Sequence, residues 1–267
     1  MPKGMQIISG FVTAPSTTFT PWTYGSGDSP TVRNADPGSR VSLLSFWADN
    51  QSAGQLRIRS ALLHDNVIGM TATVVASEVR PLFPIGAMQP LKPQDTLIVE
   101  QTGSGTTGDI ESGSLLVYYD SLPGAAARLA TWDQIKGRVE EYMYSYQTLS
   151  LGTAGGYSGA AAINTTVDQW KANRDYALLG YLCSAECASV GWYGPDTSNL
   201  RVGGPGNDSD NTITYNWFLN LSMMTGLPTI PIINAANKAA TYMDGVQDEN
   251  GVDVQVTSIF ALLSGNF

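Results

Sequence analysis

The sequence predicts an all-β protein built as two tandem eight-stranded jelly-roll β-barrels with one or two short helices. Three observations carry this. Short runs rich in β-branched and aromatic residues recur, each bounded by Gly, Pro, Asn or Asp. Segments of the first half find counterparts in the second half, in the same order. Charged residues make up only 14% of the 267-residue chain and hydrophobic residues 43%, which suits a folded chain whose surface is partly covered by neighbouring subunits.

The strands read as follows. Residues 40–48 follow the turn cluster Asp36-Pro37-Gly38. Residues 55–63 alternate Leu56 and Ile58 with Arg57 and Arg59, the pattern of a half-buried strand. Residues 70–77, 95–101 and 114–119 complete the first half, with Gly103 to Gly108 as a hairpin-type loop. In the second half, strands are expected at 176–183, 199–202, 212–224, 229–233 and 251–263. One helix is expected from Thr131, where Gln134 completes a capping box and Ile135, Val139 and Tyr142 follow at helical spacing. A second short helix could cover residues 166–173. Residues 1–122 form the first jelly roll, 123–130 the linker, and 131–267 the second jelly roll with its N-terminal helix.

The internal repeat rests on five blocks. Leu43-Leu44-Ser45-Phe46-Trp47 matches Leu178-Leu179-Gly180-Tyr181-Leu182, with Thr31-Val32 and Thr166-Val167 each twelve residues upstream. Phe11, Thr13 and Thr18 match Tyr146, Thr148 and Thr153. Leu56-Arg57-Ile58 matches Leu200-Arg201-Val202, and Pro81 to Ile85 matches Pro228 to Ile232. Asp109 with Ser114-Leu115 matches Asp253 with Ser258-Ile259.

Composition removes several functions. A net charge of −9 with only 14 Lys and Arg argues against direct nucleic-acid binding and against docking on an anionic membrane. No apolar run is long enough to span a bilayer, and the start of the chain has no apolar stretch behind a charged one, so no secretory signal is expected. One histidine, His64, cannot supply an imidazole-rich metal site. It reads as a base beside Asp65 or as a residue in a strand-end turn. Cys183 and Cys187, the two cysteines, are expected as free buried thiols, with a small disulfide left open and zinc disfavoured for want of two more ligands.

No catalytic or cofactor-binding set emerges, and no enzyme is expected. Asp208 and Asp210, in an oxygen-rich loop, are calcium candidates against the alternative of a solvated turn. Asp244, Asp248, Glu249 and Asp253 mark a second acidic region. Trp192 and Tyr193, in a Gly-rich stretch, could form a sugar-stacking platform or a subunit contact. With Trp217 they would serve a tandem β-sandwich that binds carbohydrate or a receptor, like a spike or lectin. A hydrolase would instead need two of Glu100, Glu111, Asp208 and Asp253 brought together across a cleft.

Two tandem jelly rolls, low charge and no catalytic set point to assembly. In this the chain resembles the double jelly-roll major capsid proteins of icosahedral, tail-less and often membrane-containing viruses, a group that includes bacterial viruses. The resemblance rests on architecture and the repeated blocks, so it carries over no functional residue. It implies a homotrimer that forms a pseudo-hexameric capsomer and tiles a shell, made in the host cytoplasm and resident in the virion. It also implies neighbouring capsomers, minor capsid proteins and an internal membrane as partners, with residues 1–8 as a candidate terminal arm.

Overall fold

The computed structural model describes residues 3–13, 16–25, 28–36, 38–63, 66–76, 78–84, 86, 88–103, 105–106, 109–124, 127–152, 155–163, 170–185, 187–206, 211–246 and 252–267. In the first half the strands are β1 (Gly4–Thr13), β2 (Thr20–Pro21), β3 (Thr23–Tyr24), β4 (Val41–Asp49), β5 (Gly54–Arg59), β6 (Met70–Val74), β7 (Gln89–Leu91), β8 (Ile98–Gln101) and β9 (Ile110–Tyr119). The second half runs β10 (Leu129–Ala130), α1 (Trp132–Ile135), β11 (Val139–Leu151), β12 (Ala161–Ala162), β13 (Asp175–Cys183), β14 (Cys187–Tyr193) and β15 (Val202–Gly206). It then continues through α2 (Asn211–Tyr215), α3 (Trp217–Thr225), β16 (Ile230–Asn234), β17 (Tyr242–Val246) and β18 (Val252–Leu263).

The protein is all-β, with four antiparallel sheets. Sheet I orders β3-β1-β9-β4-β7 and sheet II orders β2-β8-β5-β6. Sheet III orders β12-β17-β14-β15 and sheet IV orders β10-β16-β13-β18-β11. Among the described residues, with β3 and β10 left out and the equally short β2 and β12 kept, each half has eight strands. Numbered within its half, each pairs 1-8-3-6 in one sheet and 2-7-4-5 in the other.

Alternation explains why the sheets pair up. In β5, Leu56 and Ile58 turn inward to meet Leu43, Phe46, Val99, Leu115 and Val117, closing sheets I and II over one apolar core. Leu178, Tyr181, Trp192, Val256 and Phe260 do the same between sheets III and IV. Each such side chain contributes about 1.5–3 kcal/mol on burial, so these two cores set the fold. A bulge lies in both halves at matching places. The β4–β9 ladder shifts between Leu43 and Ser45, and the β13–β18 ladder shifts between Leu178 and Gly180. In this block, Leu43 to Trp47 against Leu178 to Leu182, the alignment and the ladders agree.

The other blocks do not follow the ladders. Leu56-Arg57-Ile58 lies in β5, the fourth strand of its half, whereas Leu200-Arg201-Val202 leads into β15, the fifth. Leu82 exchanges backbone bonds with Phe46 (3.0 and 2.8 Å), while the strand in the position of β16 is β7. Counted from the bulge, Ile259 takes the place of Leu116 and not of Leu115, and Thr148 takes the place of Phe11.

Several element expectations are corrected as well. Residues 212–224 are helical and not a strand: Trp217, Phe218, Leu221 and Ser222 turn one face inward, and Gly226, at φ +68°, ends α3 with its N–H on the Ser222 carbonyl. α2 stands where β16 stops. The Asn211 side chain accepts from the Cys183 N–H (3.0 Å) and donates to its carbonyl (3.2 Å), as a neighbouring strand would.

The Thr131–Gln134 capping box is present, but the helix is one turn with a 3-10 extension over Lys136–Arg138. Val139 and Tyr142 belong to β11, because the twelve-residue ladder with β18 outweighs one more helical turn. Strand β15 begins at Val202, so of the stretch 199–202 only its last residue is strand. The strands flanking 103–108, β8 and β9, lie in different sheets and form no hairpin; residues 104, 107 and 108 lie outside the described residues. Of the candidate arm 1–8, residues 1–2 lie outside the described residues, and residues 4–8 belong to β1 and pair with β9 and so are not free. Of the helix expected at 166–173, residues 164–169 lie outside the described residues, and 170–173 form no helix.

Candidate functional site

The two halves meet face to face. On β1, Ile8 points into the first core, so Met5, Ile7 and Ser9 point the other way, together with Leu116 of β9 and Trp47 of β4. All five are buried because the outer face of sheet III covers them. The Ile7 N–H donates to the Arg201 carbonyl at 2.8 Å, and the Trp47 indole donates to the Ala188 carbonyl. Ser9 Oγ lies 2.8 Å from Ser114 Oγ and 3.4 Å from Ser189 Oγ. Close approach is possible because the covering strands carry Gly191 and Gly203. A Cβ on Gly203 would stand 1.9 Å from the Val190 carbonyl oxygen and 2.7 Å from Ile7 Cδ1.

A charged cluster is sealed into this contact. Arg201 Nε donates to Asp244 Oδ1 and Oδ2 (2.8 and 3.0 Å) and Nη2 to Oδ2 (2.7 Å). Its guanidinium lies 3.5 Å from the Tyr157 ring centroid, and Nη1 is 3.9 Å from Asp28 of the first half. The Tyr157 hydroxyl and the Ser9 N–H (2.7 Å) both donate to Asp28. Burial pushes both carboxyls above the usual range, against the pull of Tyr157, Ser9 and Arg201 on Asp28 and of Arg201 on Asp244. Burial also opposes charge on Arg201, but its bonds to Asp244 and its nearness to Tyr157 and Asp28 outweigh that and hold its pKa above the ordinary value.

Among the described residues no sheet is stacked on the outer face of sheet II, and the outer face of sheet IV is open along β11 but covered over β13 and β18, where Ile259 and Ala261 are buried and α2 packs on Gly180. On sheet II, Arg57 and Arg59 alternate with the core residues Leu56 and Ile58 and so face outward. Both bind Glu100 of β8: Arg57 Nε at 2.8 Å, Arg59 Nε at 2.8 Å and Arg59 Nη2 at 2.9 Å. The Arg57 guanidinium stands 3.8 Å over the Phe19 ring. The bonds from Arg59, with those from Arg57, hold the Glu100 carboxyl below the usual range against its burial. On sheet IV, Tyr142, Tyr144 and Tyr146 of β11 stand in a row with 57%, 52% and 46% of their surfaces exposed. The Tyr144 hydroxyl is 2.8 Å from that of Tyr215, at the end of α2.

The residues singled out from the sequence are dispersed. Trp192 has no exposed surface; its indole donates to Ser258 Oγ at 3.1 Å, and it packs on Tyr181 and Phe218 in the second core. Tyr193, the next residue along the strand, points the opposite way, with Arg201 5.3 Å from its ring. The pair therefore makes no shared stacking platform. Trp217 is buried edge-on against Trp47, its indole donating to the Gly203 carbonyl at 2.9 Å.

Asp208, Asp210, Asp248, Glu249, His64 and Asp65 lie outside the described residues. Among the described residues no group of three His, Cys, Asp or Glu is placed to hold a metal. Asp253 is exposed on β18. Glu111 is buried on β9, where it accepts from the Gln51 N–H at 2.8 Å, on a different sheet from Glu100. Cys183 and Cys187 are buried thiols not joined in a disulfide, and Cys187 Sγ donates to the Ser189 carbonyl at 3.6 Å. An apolar groove of ≈ 400 Å³ lies where the halves meet, lined by Phe83, Trp217, Leu221, Met223 and Met224.

The tyrosine row and the Arg57–Arg59–Glu100 cluster were not identified from sequence as functional. The signal for the row was present: Tyr142, Tyr144 and Tyr146 are spaced by two, which on a strand puts them on one face.

No family model matches the chain, and no curated protein does. Among solved structures it is similar to the crystal structure of PBSX exported protein XepA, with 11% identity and a TM-score of 0.26. That alignment covers 96% of this chain and 86% of the other.

Proposed function

We propose that the chain is a structural shell protein: a double jelly-roll major capsid protein that forms homotrimers, with six similar barrels per capsomer, and tiles an icosahedral virion. The observation that carries this reading is the strand order. A 1-8-3-6 sheet facing a 2-7-4-5 sheet is the pairing that two interlocked Greek keys produce, and both halves have it. The packing of the halves on one another through Met5, Ile7, Trp47 and Leu116 supports it further, since such barrels assemble by packing together. The charged groups in that contact have partners within it: Arg201 binds Asp244 and stands 3.9 Å from Asp28, which also accepts from Tyr157 and Ser9.

Sedimentation velocity and negative-stain images of the purified chain test the reading. The expected species has three times the 28.4 kDa chain mass and a hexagonal outline, with larger shells at high concentration. A chain that stays a single copy at every concentration refutes it.

A further inference from the structure

The ladders, counted from the matching bulges, place residues of the two halves in register. Ser45 and Gly180 each follow the bulge. Ser45 pairs with Leu116, and Leu116 with Ile7; Gly180 pairs with Ile259, and Ile259 with Tyr144. Tyr144 therefore holds the position of Ile7. By the same count Tyr142 holds that of Met5, and Tyr146 that of Ser9. Met5, Ile7 and Ser9 are the β1 residues buried under sheet III inside the chain. Their counterparts are three exposed tyrosines on which no sheet is stacked.

The opposite face repeats as well. Sheet III meets the first half with an aromatic ring, an arginine over it and a carboxylate on the seventh strand of its half: Tyr157, Arg201 and Asp244. Sheet II bears the same constellation in Phe19, Arg57 and Glu100, again with the carboxylate on the seventh strand and with Arg59 added. Within the chain the sheet III set is covered by the first half. On the sheet II set no further sheet of the chain is stacked among the described residues.

We infer that a second copy of the chain docks its tyrosine row, Tyr142, Tyr144 and Tyr146, onto the Phe19–Arg57–Arg59–Glu100 face of sheet II, repeating between copies, along β11 alone, part of the contact that joins the halves within one. This rests on the reading of the chain as self-assembling and adds to it the two faces that meet. The chemistry is complementary. Sheet II offers two guanidiniums against one carboxylate, and tyrosine rings and hydroxyls are groups on which guanidiniums pack and to which they donate. Tyr and Arg are also the side chains that most often anchor such contacts. The contact is head to tail, one face on a different face, so it builds a ring that closes or a filament that does not.

A mixing experiment with the full chain tests it. One population carries Tyr144→Cys, the other Thr71→Cys, next to Arg57 on sheet II; the native cysteines are buried and slow to react. Mild oxidation of the mixture is expected to yield a disulfide-linked pair containing one copy of each. A pair formed only between two Tyr144→Cys chains, or no pair from a mixture that still assembles, overturns the inference.

The variant with Tyr142→Ser, Tyr144→Ser and Tyr146→Ser is expected to weaken self-association by roughly 30-fold or more with unchanged circular dichroism, and Arg59→Glu should do the same from the other face. Wild-type assembly with undiminished assembly of both variants rejects these faces and leaves the shell reading standing. A wild type that never assembles rejects both. Capture of a single-copy chain by phosphatidylglycerol vesicles, lost in the triple variant, would assign the tyrosine row to a lipid surface and reject the docking.

Discussion

Arg201→Met is the most informative single change in the contact between the halves. The side chain makes three hydrogen bonds to Asp244 of 2.7–3.0 Å and faces Asp28 at 3.9 Å. The two carboxylates have only 2% and 1% of their side-chain surface exposed. Methionine fills most of the volume but leaves both carboxylates without their cation. Breaking a buried pair in this way costs about 3–5 kcal/mol. The lower end, about 3 kcal/mol, is expected, because Arg201 is itself 20% exposed and the Tyr157 and Ser9 bonds to Asp28 remain.

The loss should depend on pH. Both carboxyls already sit above their unfolded values through burial, and removing the cation raises them further. A carboxyl raised on folding takes up its proton in the folded state first, so stability rises as pH falls through the folded pKa towards the unfolded one. The deficit of Arg201→Met should therefore shrink between pH 7 and pH 5, and adding Asp28→Asn and Asp244→Asn should recover much of it at pH 7. Urea unfolding at the two pH values is the assay. A loss under about 1 kcal/mol, or one that is the same at both pH values, refutes the reasoning.

Two further changes probe the stack and its outer face. Gly203→Ala puts a methyl group 1.9 Å from the Val190 oxygen, a backbone atom that cannot rotate away. A loss of at least about 3 kcal/mol, with red-shifted tryptophan emission as Trp47 and Trp217 are wetted, is expected; a melting temperature equal to wild type would contradict the packing of the halves. Glu100→Gln should flatten the acid limb of the stability curve. The native carboxyl is held down by Arg59 and Arg57, so its contribution is present above the unfolded pKa of about 4.3 and is lost as pH falls through the folded one. Thermal melts from pH 6 to pH 3 read this, and parallel curves for the two proteins would count against it.

How much of this was legible depended on how local the cause was. The strand at 40–48 is observed at Val41–Asp49, and the Thr131–Gln134 capping box is present, because both rest on neighbouring residues. The segment 212–224 reads as extended from its Thr, Ile, Tyr and Trp content. It is helical because the gap beside β13 needs a surface that Trp217, Phe218 and Leu221 fill at i, i+1 and i+4. The bulge block aligned correctly because a bulge constrains its own residues. Pro81–Ile85 and Leu56–Ile58 matched segments in different places, since short aliphatic runs recur in any sandwich. The tyrosine row was hidden by its neighbour: a helix start at Thr131 invites a longer helix, and nothing local says that β18, more than a hundred residues away, claims Val139 onward.

The final strand of each half lies inside its sheet. β9 is bonded to β1 on one side and β4 on the other, and β18 is held likewise by β11 and β13. During synthesis β1 therefore has only the two-residue β3 beside it in its sheet until β9 has left the ribosome, and β11 has no ladder partner until β18 has. Loop closures of that length make folding slow. The apolar side chains of Met5, Ile7 and Trp47 stay wet longer still, until the second half has formed to cover them. Nascent chains crowded on one message are thus most prone to pair wrongly in that interval, and chaperone occupancy should peak between the emergence of the first half and that of the last strand.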